Sequence, residues 1–361
     1  MSQQLKHKKE LLSPPGDDIL EHIDYIKMSQ AELADRLGKT PSKVNDLISG
    51  KEPISYTTAL QLEKVLGIKA QYWLNREMIY REKLARIEQE EVLSYDKDWV
   101  KQHPFKLLKK YGYIKSGKPG PDMVAEMLEF YGVASPDACR RRYVDDYASA
   151  SFRKSKAHTV TFSSMATWLR IGELEMQKLQ LPAYNSTLFK KILLEIKSLV
   201  RHHPDDFAKQ LQQLCAKAGV AVIYTLCLPE APVSGATRWF RNNPLIQLTN
   251  RHKTNDHFWF SSYHEAGHVL LHGKKEVFLE DFEGFTLIKN KEYQANQFAM
   301  KWLLPEKATE DLPVNLKDED IIALADQYET HPGIVVGRLQ WLDELKHNQG
   351  NHHKRKVQLF I

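Results

Sequence analysis

Residues 258–272 read FWFSSYHEAGHVLLH, and the H-E-x-x-H pattern inside this run decides how the C-terminal half folds. On a helix, His264 and His268 stand four residues apart, about 40° around the axis, so both imidazoles face one ion. That spacing is a zinc grip. Glu265, between them, is not needed as a ligand. In zinc hydrolases a carboxylate so placed takes a proton from the attacking water and later passes it to the leaving group. A catalytic zinc site has three protein ligands and one open position, so a third ligand must come from elsewhere. The three-histidine extension of the pattern fails, because Leu271 and Lys274 stand where its glycine and last histidine would be. Residues 291–305, KEYQANQFAMKWLLP, read as a second helix with Ala295, Phe298, Ala299, Trp302 and Leu303 inward. Glu292 and Asn296 are one turn apart on it. Glu292 is the expected third ligand, and Asn296 the partner that holds a ligand imidazole in its tautomer. His272, one turn past His268, is expected to act behind the ligands or at the helix end. Zn2+ is the cofactor this set predicts.

The segments PLIQLTN, DHFWFSSYHEAGHVLLH and EYQANQFAMKWLLP resemble the ImmA/IrrE family of zinc metallopeptidases over residues 206–345. The resemblance implies a small sheet before the H-E-x-x-H helix, a carboxylate ligand from the E-x-x-A-N helix, and proteolysis of a repressor, antitoxin or related regulatory protein. The alternative is a peptidase-like domain serving only as a sensor or partner platform.

The most readable local signals lie far upstream. Ser29 to Glu32 has the form of a capping box opening a helix that ends at Gly38. Thr40 and Pro41 follow as N-cap and N1 proline of a helix ending at Gly50. Two short helices joined by a glycine-containing turn are a helix-turn-helix. Val44, Leu47 and Ile48 fall inward on the second helix, leaving Ser42, Lys43 and Asn45 outward at the end that enters a major groove. Small and amide side chains reach base edges there, while Lys43 and Lys39 suit phosphates and Gln30 the backbone, beside Thr40. Residues 14–86, through PPGDDIL, SQAELADRLGKT and ALQLEKVLG, resemble the helix-turn-helix of HigA-like antitoxin repressors. That resemblance implies double-stranded operator DNA as a partner and a homodimer.

The rest of the chain sets limits. Its 361 residues, 42% hydrophobic and 27% charged, are those of a globular protein of two or three domains. The start is polar and no stretch has the apolar length of a membrane span, so a cytoplasmic location is expected. Three scattered cysteines argue against a disulfide framework. The net charge of +5 is concentrated in residues 91–204, with nineteen Lys and Arg against twelve Asp and Glu. A solvated face, or a contact with nucleic acid or an acidic partner, accounts for it equally. The expected fold class is α-rich and multidomain, α then α+β. A flexible tail (1–16) precedes a five-helix helix-turn-helix domain (17–91), a helical middle domain (92–204), a zincin-like peptidase domain with a small sheet (205–345) and a disordered basic tail (346–361). The charged run 81–91 is expected to lead into a cleavable hinge. Arg238, Tyr263 and His331 are candidate donors for transition-state charge.

Overall fold

The computed structural model describes residues 3–145, 158–228, 231, 233–249, 251, 253–273, 278–279, 289–310, 312 and 316–359. The basic cluster at 153–156 lies outside them. The chain forms two compact units, residues 1–101 with 111–127, and residues 102–110 with 128–361. The architecture is helical with a small sheet in the second unit, as the sequence predicts.

In the first unit, α1 (Gln3–Glu10), α2 (Pro15–Tyr25), α3 (Gln30–Leu37), α4 (Pro41–Ile48), α5 (Tyr56–Leu66) and α6 (Ala70–Tyr95) follow one another. The five expected helices are α2 to α6, around a core that includes Ile19, Leu33, Val44, Leu62 and fully buried Trp73. The Ser29 hydroxyl accepts from the Glu32 amide, and the Thr40 hydroxyl from the Lys43 amide. The box is only half used, since the Glu32 carboxylate pairs with Arg36 one turn on.

Two expectations fail in this unit. The N-terminal segment is helical: Leu5 is buried, and Lys8 and Lys9 pair with Glu90 and Glu88 of α6 at 2.8 and 3.1 Å. Burying Leu5 contributes about 1.5–3 kcal/mol, more than either partly exposed ion pair at about 0–1 kcal/mol. The run 81–91 is helical, as expected, but leads into no hinge before Tyr95. It continues the 26-residue α6, spanned by the i,i+4 pairs Glu77–Arg81 and Glu82–Arg86. The idea that proteolysis separates the modules there loses its exposed loop.

Further along come α7 (Lys97–Val100), α8 (Phe105–Lys110), α9 (Pro121–Tyr131) and α10 (Pro136–Arg140). In the second unit, α11 (His158–Gln177), α12 (Ser186–His202) and α13 (Phe207–Lys217) lead into β1 (Ala221–Tyr224), β2 (Gly235–Phe240) and β3 (Asn243–Leu248). Then follow α14 (Asn255–Leu271), β4 (Phe278–Leu279), α15 (Lys289–Leu303), α16 (Asp318–Gln327) and α17 (Pro332–Trp341). The sheet order is β1-β3-β2-β4, with β1 parallel to β3 and the other pairs antiparallel.

Alternation along β1 sends Val222 and Tyr224 to the face covered by α14, and Ala221 and Ile223 to the face shared with Met176 of α11. Both faces are therefore covered. The boundary expected at residue 204 falls inside this core: Phe189, Ile192, Leu193 and Ile196 of α12 pack with Phe258, Trp259 and Tyr263 of α14. The Gln247 amide donates to the Trp168 carbonyl of α11 across the sheet.

The C-terminal segment is not a disordered tail. Its backbone exchanges hydrogen bonds with the start of α14, the Asn255 amide donating to the Arg355 carbonyl and the Arg355 amide to Asn255 Oδ1, both 2.9 Å. Val357 is buried in the main core. The Lys354 ammonium makes a buried 2.6 Å pair with Asp256. Among the described residues, no helix is long and apolar enough to cross a membrane.

Candidate metal centre and cavity

Helix α14 is the axis of the second unit, with residues from Asn255 to Val269 buried on nearly every side. It runs between the sheet and α15, and two glycines set those approaches. A Cβ on Gly267 would stand 3.2–3.3 Å from Phe298 and the Ala295 backbone, so α15 lies close against α14 there. A Cβ on Gly235 would stand 2.6 Å from Glu265 Oε1. The Thr237 hydroxyl donates to the Glu265 carbonyl at 3.0 Å, locking β2 to the same turn.

This packing brings together the three side chains expected to hold zinc. His264 Nε2 and His268 Nε2 are 3.0 Å apart, and Glu292 oxygens lie 3.2 and 3.4 Å from them. Tetrahedral zinc with bonds of about 2.0–2.1 Å has ligand atoms about 3.3–3.4 Å from one another, so this donor set fits the ion. The outer hydrogen bonds agree. His264 Nδ1 meets Asn296 Oδ1 at 2.9 Å, so it carries the proton and the Nε2 lone pair faces His268 and Glu292. His268 Nδ1 meets His272 Nδ1 at 2.9 Å, and His272 Nε2 meets Gln294 Oε1 at 3.1 Å. With protons on His268 Nδ1 and His272 Nε2, both bonds are satisfied and the His268 Nε2 lone pair also faces the shared point. Burial drives the His268 imidazole down to about 4. Burial pushes the Glu292 carboxyl up, but hydrogen bonds to His264 and His268 outweigh it and hold the group at about 2.

Gln294 was not anticipated. It lies two residues beyond Glu292, and only the partner of His272 marks it.

A cavity of about 500 Å³ opens on this cluster, its walls including His264, Glu292, Asn296, Phe260, Met300 and Trp341. Glu265 is fully buried on the β2 side of α14, next to Gly235, while neighbouring Ser234 reaches the cavity wall. The far wall is cationic. Arg338 donates Nη1 to Met300 Sδ at 2.6 Å and lies 4.7 Å over the Trp341 ring. Its buried Nε has no acceptor among the described residues, and burial lowers the guanidinium from its ordinary range. His347 and Lys354 of the C-terminal segment complete that wall.

The three candidate donors for transition-state charge stand elsewhere. The Tyr263 hydroxyl donates to the Leu193 carbonyl, and Arg238 reaches the Leu169 carbonyl and Gln247 on the α11 side of the sheet. His331 caps α17, its Nδ1 accepting from the Gly333 amide and the Asn255 side chain. None of the three lines the cavity, and Glu265 does not line it either, but Glu265 packs against Gly235 next to the cavity-wall residue Ser234. Of the residues expected to meet DNA, Gln30, Thr40, Ser42, Lys43 and Asn45 are exposed and Lys39 is half-buried.

Comparison with known proteins finds a family profile in each half of the chain. The helix-turn-helix family profile matches residues 26–73, and that of the IrrE N-terminal-like domain matches residues 215–340. The chain is 36% identical over 61 residues to the uncharacterised HTH-type transcriptional regulator YddM of Escherichia coli strain K12, covering 17% of this chain and 65% of that protein, just under two thirds. It is 32% identical over 81 residues to virulence-associated protein I of Dichelobacter nodosus, covering 22% of this chain and 73% of that one. The chain belongs to the helix-turn-helix family, and it carries an IrrE N-terminal-like domain in the same polypeptide.

Proposed function

We propose that the chain is a cytoplasmic transcriptional regulator that binds operator DNA as a homodimer through α3 and α4. Its second unit is proposed to be a zinc-dependent endopeptidase acting on a repressor, antitoxin or related regulatory protein. The observation that carries the peptidase reading is the convergence of His264, His268 and Glu292 with lone pairs aimed at one point, at the end of a cavity large enough for a peptide segment. Zinc held there supplies Lewis acidity, lowering the pKa of water and polarising a peptide carbonyl. Asn296 and His272 fix the two imidazoles. Glu265 accepts the proton of the attacking water at its carboxylate and returns it to the leaving amine nitrogen. Arg338, with an unused Nε on the wall, orients a carbonyl or carboxylate of the bound segment.

For DNA, the exposed Ser42 and Asn45 meet base edges, and Lys43, Lys39 and Gln30 meet the backbone near the Thr40 cap. The division into residues 17–91, 92–204 and 205–345 is kept only as a functional one, with the DNA reader first and the peptidase last.

Metal analysis with a cleavage assay against proteins encoded beside this gene tests the peptidase reading. The parent is expected to hold about one zinc in this site. Glu292→Ala should lose affinity, whereas Glu265→Gln should keep zinc and lose about 10²–10⁴ in turnover. A Glu265→Gln variant as active as the parent would refute the assignment. Zinc binding without cleavage of any partner would favour the platform reading.

A further inference from the structure

A second group of metal-binding side chains lies outside the cavity. His352 Nε2 and His353 Nε2 each stand 3.1 Å from a different oxygen of Asp318, and their rings are 4.1 Å apart. The three possible ligand atoms lie within 4.8 Å of one another. Asp318 is in the first turn of α16, and the two histidines sit on a single 3-10 turn after Gly350.

The turn is held from beneath. The Gln340 side-chain amide donates at 2.8 Å to the Gln349 carbonyl and at 3.1 Å to Asn351 Oδ1, and is 3.3 Å from the His347 carbonyl. Its oxygen accepts from Lys354 at 2.7 Å. Neighbouring residues on an ordinary surface turn point apart. Here the backbone, wound around a buried glutamine, directs both imidazoles at one carboxylate. Two hydrogen bonds to a solvent-exposed aspartate stabilise such a turn by little. Two imidazoles and a carboxylate with open positions for water form a donor set suited to zinc, nickel or copper.

We propose that Asp318, His352 and His353 form a second divalent-metal site that clamps the C-terminal segment onto α16. An ion entering there takes one oxygen of Asp318 and the Nε2 lone pair of each ring, and the imidazoles carry their protons on Nδ1. The clamped segment is the one that brings His347 and Lys354 to the cavity wall, so the ion steadies that wall from outside. The site does not depend on the peptidase reading.

The test uses the full chain and Zn2+ alone. Calorimetric titration of His268→Ala, which disables the cavity cluster, should still find one equivalent, and the parent two. Adding Asp318→Asn or, separately, His352→Ala should remove that equivalent with the circular dichroism unchanged. Trypsin cleavage after Lys354, Arg355 and Lys356 reads the clamp. With zinc at ten times its dissociation constant, cleavage through the undocked state should slow about tenfold in His268→Ala and not at all in the double variants. A second equivalent that persists in both double variants overturns the site. No second equivalent in the parent does the same, and equal cleavage with and without zinc overturns the clamp. Loss of the first equivalent in the parent, with the second intact, would count against the cavity cluster alone.

Discussion

The hairpin of α3 and α4 and the helix α14 are built by opposite means. In α4 the buried residues are Val44, Leu47 and Ile48, one stripe of an eight-residue helix, and the cap is a side chain of the same segment. The cap and the single buried stripe are readable within the segment, and Ser42, Lys43 and Asn45 are left exposed outside the core. In α14 nearly every residue is buried, and His264, Glu265 and His268 are 0–2% exposed. There each functional side chain is also a core side chain. A DNA reader built on an outward face can change its sequence preference at little cost in stability. A candidate metal site built inside a core would tie its chemistry to the fold.

Four substitutions or conditions would break or sharpen this contrast. The largest effect is expected from Lys354→Ala, which leaves Asp256 charged, 7% exposed and without its 2.6 Å partner. Losing one member of such a pair costs about 3–5 kcal/mol. Differential scanning calorimetry should show the second unit melting earlier, with the DNA-binding fragment unmoved.

Next is Asn296→Ala, which removes the acceptor for His264 Nδ1 and should weaken zinc affinity about 10–100-fold by competition titration, with the fold intact. A variant that binds zinc as tightly as the parent would show that packing alone orients His264.

The third is acid. His203 accepts from the Trp259 indole and His331 from the Gly333 amide, and burial first, then neighbouring positive charge, lowers both imidazoles to about 4. Burial takes His103, bonded to Tyr131, to about 3. The unfolded chain binds these protons near pH 6.5, before the folded one does. Their contribution is complete above 6.5 and is lost as pH falls toward 4, by at most about 1.4 kcal/mol per group per pH unit. Denaturant midpoints of the second unit should fall over that window, and a flat profile would mean that these sites open to water.

The smallest effect is expected from Lys43→Ala. It should weaken all DNA sequences alike, reduce the salt slope by about 1 and leave the melting temperature unchanged. A change in sequence preference instead would move Lys43 from the backbone to a base.

The same contrast explains what the sequence let one read. Caps and stripes are local, so α3 and α4 were legible from Ser29, Thr40 and Val44 onward. The convergence of His264, His268 and Glu292 was legible because metal chemistry restricts ligand spacing on helices. Direction in space was not legible. Arg238, Tyr263 and His331 have the right chemistry for a catalytic donor, yet the sheet, α12 and the cap of α17 turn them to structural tasks. Residues 346–359 were misread because HHKRK looks like a solvated tail. The alternation of Val357, Leu359 and Ile361 was the signal that an extended segment packs there, and Val357 does.

The position of His347 and Lys354 on the cavity wall has a consequence for synthesis. Of the residues that surround the cavity, these two leave the ribosome after all the others. The helix that carries His264, Glu265 and His268 is already complete while the wall opposite is still missing. The pocket closes only as the segment beyond Gln340 winds into place, so a growing chain holds the clustered side chains before it holds the wall that faces them.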